Sequence, residues 1–171
     1  MENHFDLFQI PALFAIDAAQ LDAAYREVQG RVHPDKFVAA SDAEKRVAMQ
    51  WATRANEAYK TLKSPLRRAA YLCELNGVDL GIESNTTMPT AFLMQQMEWR
   101  ESLDDARSER DTARLEVLEQ ALNEARRQAV ARIAELLEQS KFSDAGERVR
   151  ELMFVEKFGD EVASTFEALE A

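Results

Sequence analysis

His33-Pro34-Asp35-Lys36-Phe37 sets an imidazole and a carboxylate two residues apart in a single turn. Such a pair is the raw material of general acid–base catalysis, but it would have to be joined by a substrate pocket and a positioned nucleophile or water. The chain has no glycine-rich phosphate loop, and no second histidine lies near the turn. Metal chemistry fares no better. Cys73, His4 and His33 fall in separate elements, so four soft ligands cannot be assembled from them. No catalytic residue, cofactor or resident metal is therefore expected, and the chain does not read as an enzyme; turnover of a small substrate by the isolated protein would be the discriminating observation. Cys73 is the only cysteine, which excludes an internal disulfide, and its neighbours Tyr71, Leu72 and Leu75 suit a buried apolar thiol better than a reactive one.

The turn must be held by the segments on either side. Pro34 fixes its own φ and keeps His33 out of the α region, so a helix arriving from the N-terminal side stops there. Asp17 precedes Gln20 with capping-box spacing and opens a helix through about Val32; Ser41 precedes Glu44 in the same way and opens one through about Lys63. Ser64-Pro65 starts another, which Asn76-Gly77 ends. Leu21, Ala24, Val28 and Val32 share one face, as do Ala55, Ala58, Tyr59 and Leu62; Phe5, Leu7 and Phe8 of a short first helix close the base. Arg26 and Gln29 lie off the stripe and Tyr25 at its edge, leaving a partner-facing strip that ends at His33.

The 171 residues are 46% hydrophobic, with five glycines and four prolines, and rich in Ala, Leu, Glu and Arg. That composition predicts an all-α protein. The net charge of −10 is uneven: Met1 to Leu75 carries ten basic and ten acidic residues, and Asn76 to Ala171 eleven and twenty-one. A nucleic-acid binder would need a basic footprint, which this balance withholds, although the neutral first half can still carry a local basic face. No signal segment or membrane-length apolar run is visible, so a soluble cytoplasmic protein without membrane or nucleic-acid partners is expected.

Residues 77–89, with two glycines, Asn85 and paired threonines, read as a linker, pinned to a domain by Val78, Leu80 and Ile82. The division expected is 1–76, then this linker, then 90–171 with three helices at about 90–106, 109–140 and 144–169, Thr90 serving as an N-cap. The stripe Leu115, Leu118, Leu122, Ala125, Ala129, Ile133, Leu136 suits an intramolecular bundle or a dimeric coiled coil, and the apolar stripes on both neighbours favour the bundle and a monomer. The helix from Thr90 carries more apolar surface than one seam needs: Phe92, Trp99, Leu103 and Ala106 cluster on one side, Leu93, Met94 and Met97 on another beside Glu98 and Glu101. Apolar residues at helical spacing usually mean core, but methionines bordered by carboxylates also suit an adaptable binding surface. On the last helix Val155, Phe158, Val162, Phe166 and Leu169 make the seam, and Phe154 turns away from it.

Tyr25-Arg26, the His33 turn, Arg54 to Leu62 and Arg67-Arg68-Ala69-Ala70-Tyr71 together resemble a J-domain. With the acidic three-helix tail and Ala91-Phe92-Leu93-Met94-Gln95-Gln96-Met97-Glu98, the chain is similar to the HscB-type co-chaperones of iron–sulfur cluster assembly over nearly its whole length. The resemblance implies an N-terminal J-domain helical hairpin, which engages an HscA-type heat-shock chaperone and stimulates its ATPase, plus a C-terminal three-helix bundle that holds an IscU-type scaffold. Carried onto matching positions, His33, Pro34 and Asp35, with Tyr25, Arg26 and Lys36 alongside, engage the chaperone. Leu93, Met94, Met97, Glu98, Glu101 and Phe154 hold the scaffold. ATP chemistry stays with the chaperone, on which Asp35 acts in trans by biasing a partner arginine. Asp22 and Glu27 dilute the basic helix typical of general J-domains, and no glycine/phenylalanine-rich segment or cysteine-rich repeat follows. The alternative kept open is a plain J-domain adaptor with a self-associating helical hairpin.

Overall fold

The computed structural model describes residues 2–81 and 88–171, so positions 82–87 of the expected linker, Ile82 among them, lie outside the described residues. Helices α1 (His4–Leu7), α2 (Ala18–Val32), α3 (Asp42–Lys63), α4 (Pro65–Leu75), α5 (Thr90–Glu109), α6 (Thr112–Glu138) and α7 (Phe142–Glu170) follow one another, with a single 3-10 turn at Pro34–Phe37. No strand occurs among the described residues, and the fold is all-α. Two compact units result, Met1–Leu72 and Cys73–Ala171.

In the first unit the caps expected from the sequence start their helices. The Asp17 carboxylate accepts from the backbone N–H of Ala19 (2.9 Å) and Gln20 (3.3 Å), Ser41 Oγ from Glu44 (3.2 Å), and Ser64 Oγ from Arg67 (3.2 Å). Each satisfies backbone donors that a helix start leaves without intrahelical partners. The antiparallel hairpin of α2 and α3 closes over Leu21, Ala55, Ala58 and Leu62, with Phe5 and Phe8 filling its base.

Polar ties then fix the hairpin's register. Tyr59 Oη donates to Asp22 Oδ1 at 2.6 Å, and Lys63 Nζ donates to both oxygens of that carboxylate at 2.8 and 3.1 Å. Lys63 first, and Tyr59 after it, hold the Asp22 carboxyl below the usual carboxylate range. One turn further along α2, Tyr25 stacks on Tyr59 at 4.1 Å between ring centroids and donates its hydroxyl to Asn56.

In the second unit α6 and α7 form the main antiparallel seam, built from Leu115, Leu118, Leu122, Ile133 and Leu136 on α6 and Val149, Leu152, Val155, Phe158 and Val162 on α7. Helix α5 adds Trp99, Leu103 and Ala106. One expected cap is corrected. Thr90 is the first helical residue of α5, and the N-cap is Pro89, extended at φ −56°, ψ 141°, without a side-chain hydrogen bond.

The units divide inside α4 because residues beyond Leu72 find their partners on α7. Cys73 is fully buried and its thiol lies 3.8 Å from the Phe142 carbonyl oxygen; burial, reinforced by the Glu74 carboxylate, pushes that thiol up to about 11. Leu80 is buried, and Arg150 Nη1 donates to the Asp79 carbonyl at 3.3 Å. Val78 and Leu80 reach α7 at Gly146, where an added Cβ would stand 2.8 Å from Val78 Cγ1 and 3.2 Å from Leu80 Cδ2. Alanine would gain about 1 kcal/mol of helix propensity there, but overpacking against a stiff β-branched neighbour costs about 1–3 kcal/mol. Gly146→Ala should therefore lower the stability of the second unit by up to about 2 kcal/mol. Thermal melting checks it, and a variant more stable than the parent would mean that the Val78–Leu80 segment lifts away freely.

Candidate functional site

The 3-10 turn connecting α2 to α3 displays the tripeptide. His33 ends α2 in an extended conformation (φ −59°, ψ 134°), as its place before proline requires. Its Nδ1 accepts the backbone N–H of Asp35 at 3.2 Å, so the proton of the neutral ring sits on Nε2; Asp35 Oδ2 lies 3.5 Å from the same Nδ1. The side chains of His33 and Asp35 are 58% and 89% exposed. Two groups this open to water are poor candidates for catalysis within one chain, but they are available to a partner.

Pro34, Lys36 and Arg26 are exposed as well. Tyr25 is different: half-buried, with its ring held between Tyr59 and the edge of Phe8. It acts first as a brace for the hairpin. Asp22 and Glu27 also have internal uses, Asp22 on Tyr59 and Lys63, Glu27 on Arg31. Glu27 thus neutralises a cation of its own helix, while Asp22 serves mainly as a tie to α3. Arg26, Lys36, Lys45 and Arg46 make no ion pair within 4.0 Å among the described residues, and neither do Asp42 and Glu44 in the first turn of α3, so both signs of charge stand open to a partner near the turn.

The second candidate surface is on α5 and α7. Trp99 stacks on Phe158 with ring centroids 6.2 Å apart, Arg100 pairs with Glu161, Arg107 Nη2 donates to Thr165 Oγ1 at 3.2 Å, and Arg110 Nη2 donates to the Leu169 carbonyl at 3.3 Å. Partners separated by 58 to 61 positions throughout mean that α5 and α7 run parallel in one fixed register. That register places Phe154 level with Gln95, between Met94 and Met97. Leu93, Met94, Met97 and Phe154 are all exposed, Met97 at 71% and Phe154 at 38%, while Trp99, Leu103 and Ala106 of the same helix are buried. Glu98 and Glu101 are exposed beside them, Glu98 accepting from Gln95 Nε2 at 3.4 Å.

Four large apolar side chains in solvent, arranged over two parallel helices and rimmed by carboxylates, are more than scattered surface hydrophobes. Several further apolar residues are exposed, and sequence reasoning passed over the two most exposed of them, Val38 and Met49, because neither belongs to a repeating stripe. Among the described residues no group of three or more His, Cys, Asp or Glu side chains is placed to hold a metal ion, and no helix is long and apolar enough to cross a membrane.

Known proteins share this arrangement. The chaperone HscB from Vibrio cholerae superposes with a TM-score of 0.86 at 36% identity, covering 98% of this chain and 99% of that one; the human co-chaperone HscB does so with a TM-score of 0.89 at 29% identity, covering 95% and 81%. Fold and turn together define a J-domain co-chaperone. The family described as the HSCB C-terminal oligomerisation domain matches residues 88–163, and a co-chaperone protein HscB homolog of Burkholderia multivorans is 56% identical over 169 residues, 99% of this chain and 97% of that protein. The chain belongs to the HscB co-chaperone family.

Proposed function

We propose that this chain holds an IscU-type iron–sulfur scaffold on the Leu93, Met94, Met97, Phe154 face and delivers it to an HscA-type chaperone, whose ATPase the His33 turn stimulates during cluster assembly. The observation that carries the reading is the apolar face itself: it is solvent-exposed, adaptable through its methionines, and rimmed by Glu98 and Glu101. A partner of complementary chemistry offers apolar side chains bordered by cations. On the first unit, Asp35 stands almost wholly in solvent, where its carboxylate can pair with an arginine of the chaperone; His33 and Pro34 hold it in the turn, and Arg26 and Lys36 add attraction for an acidic partner surface. ATP is hydrolysed by the chaperone, and the chain itself acts as a monomeric adaptor. Joining the two binding surfaces in one chain makes the second encounter intramolecular, with an effective concentration on the order of millimolar.

A second reading has its own support. The exposed α5/α7 face could pair with a second copy of the chain, and the matched family is described as an oligomerisation domain. Gel filtration separates the two. Mixed with purified scaffold, the chain should co-elute with it as a one-to-one complex; a chain that elutes as a dimer and ignores the scaffold would be the plain J-domain adaptor with a self-associating helical hairpin.

A further inference from the structure

Two strongly exposed apolar side chains flank the His33 turn, Val38 immediately behind it (74% exposed) and Met49 on α3 (71%). Met49 looks distant in sequence, but the hairpin brings it to the turn. Asp22 pairs with Tyr59 and Tyr25 with Asn56, so each step forward on α2 is a step back on α3, and His33 stands level with residues 48 and 49. Met49 also precedes Asn56 by seven residues, two helical turns, which returns it to within about 20° of the same face. It therefore extends the face of α3 on which Asn56 meets Tyr25. The buried positions of α3 are Ala48, Ala55, Ala58, Thr61 and Leu62, so Met49 fills no seam. Close to this apolar pair in sequence stand Lys36, Lys45 and Arg46 together with the acidic Asp35, Asp42 and Glu44, so the surround carries both signs of charge.

We propose that Val38 and Met49 are apolar anchors of the chaperone-binding face, seated against an apolar spot on the ATPase partner. Continuity with His33 and Asp35 identifies the occupant. The inference rests on the reading of the His33 turn as the chaperone-stimulating site. It adds residues that set how tightly the partner is held, separate from those that switch its ATPase. Both side chains are in water in the free chain, so their truncation leaves the core intact.

The test is a titration of the full chain into an HscA-type chaperone at saturating ATP, reading the half-saturating concentration and the plateau of phosphate release. The double variant Val38→Ala, Met49→Ala should raise the half-saturating concentration about tenfold or more, the loss expected when two exposed apolar side chains no longer become buried. Its plateau should stay at the parental value. Val117→Ala, an exposed apolar truncation on α6 in the other unit, should change neither quantity. An unaltered half-saturating concentration in a double variant that melts like the parent overturns the anchors and leaves the His33 reading standing. Full stimulation by a folded His33→Gln variant overturns the His33 reading itself. A parental dimer that the double variant converts to monomer, seen by sedimentation velocity, would also overturn the proposal, because a second copy would then occupy the face.

Discussion

His33→Gln abolishes stimulation of the chaperone's ATPase and leaves the chain folded; this is the largest functional effect expected of any single substitution. The reason is geometric. His33 is more than half exposed, and the one hydrogen bond of its side chain among the described residues is to the Asp35 backbone at 3.2 Å, an exposed contact worth about 0.5–1.5 kcal/mol. Losing it lowers the melting temperature by about 10 °C at most, well short of unfolding the chain at assay temperature. The same bond places Asp35, however, and a glutamine cannot reproduce both the imidazole acceptor two residues before Asp35 and the flat Nε2 donor presented to a partner. Steady-state ATPase measurements beside circular dichroism decide the matter: undiminished stimulation by a folded variant removes the turn from the mechanism.

Simultaneous replacement of Leu93, Met97 and Phe154 by alanine abolishes scaffold binding and spares the fold. If these side chains were core, each truncation would cost about 2–5 kcal/mol, enough together to unfold a typical domain. They are exposed, with Phe154 the most sheltered, so a total cost of about 1 kcal/mol is expected. Anchors at the centre of an interface commonly contribute about 2 kcal/mol or more each, so the triple change should weaken binding well over a hundredfold. The variant should still stimulate the basal ATPase through His33 but lose the additional stimulation that scaffold brings. Titration calorimetry beside a melting curve separates the cases. A large fall in melting temperature assigns the face to the core, and retained binding places the scaffold elsewhere.

Most of the architecture is readable before any coordinates, because it is local. Caps at Asp17, Ser41 and Ser64, the stop at Gly77 (φ 83°) and apolar stripes of helical period each involve residues within a few positions of one another. The apolar face of α5 is readable for the same reason: one helix shows two apolar sides, and a single seam can cover only one. What escapes is tertiary. Asp22 and its partners are 37 and 41 positions apart, so its role as a cross-helix tie cannot be inferred from a count of charges. Tyr25 reads as part of an exposed strip until Tyr59, on another helix, stacks beneath it. Met49 has no periodic partner on α3 and becomes meaningful only when the register of the hairpin sets it beside His33. The N-cap at Thr90 fails in the other direction: the residue type suits a cap, but Pro89, already extended, fills that position.

The burial of Cys73 bears on what the chain can exchange with its client. A thiol pushed up to about 11 and enclosed between the end of α4 and the start of α7 presents no thiolate at neutral pH, and thiolates are the ligands for which iron–sulfur clusters are transferred from one protein to another. It is the only cysteine of the chain, so on the function proposed above a scaffold that arrives with its cluster meets no competing thiolate. The same burial shields this thiol from oxidants.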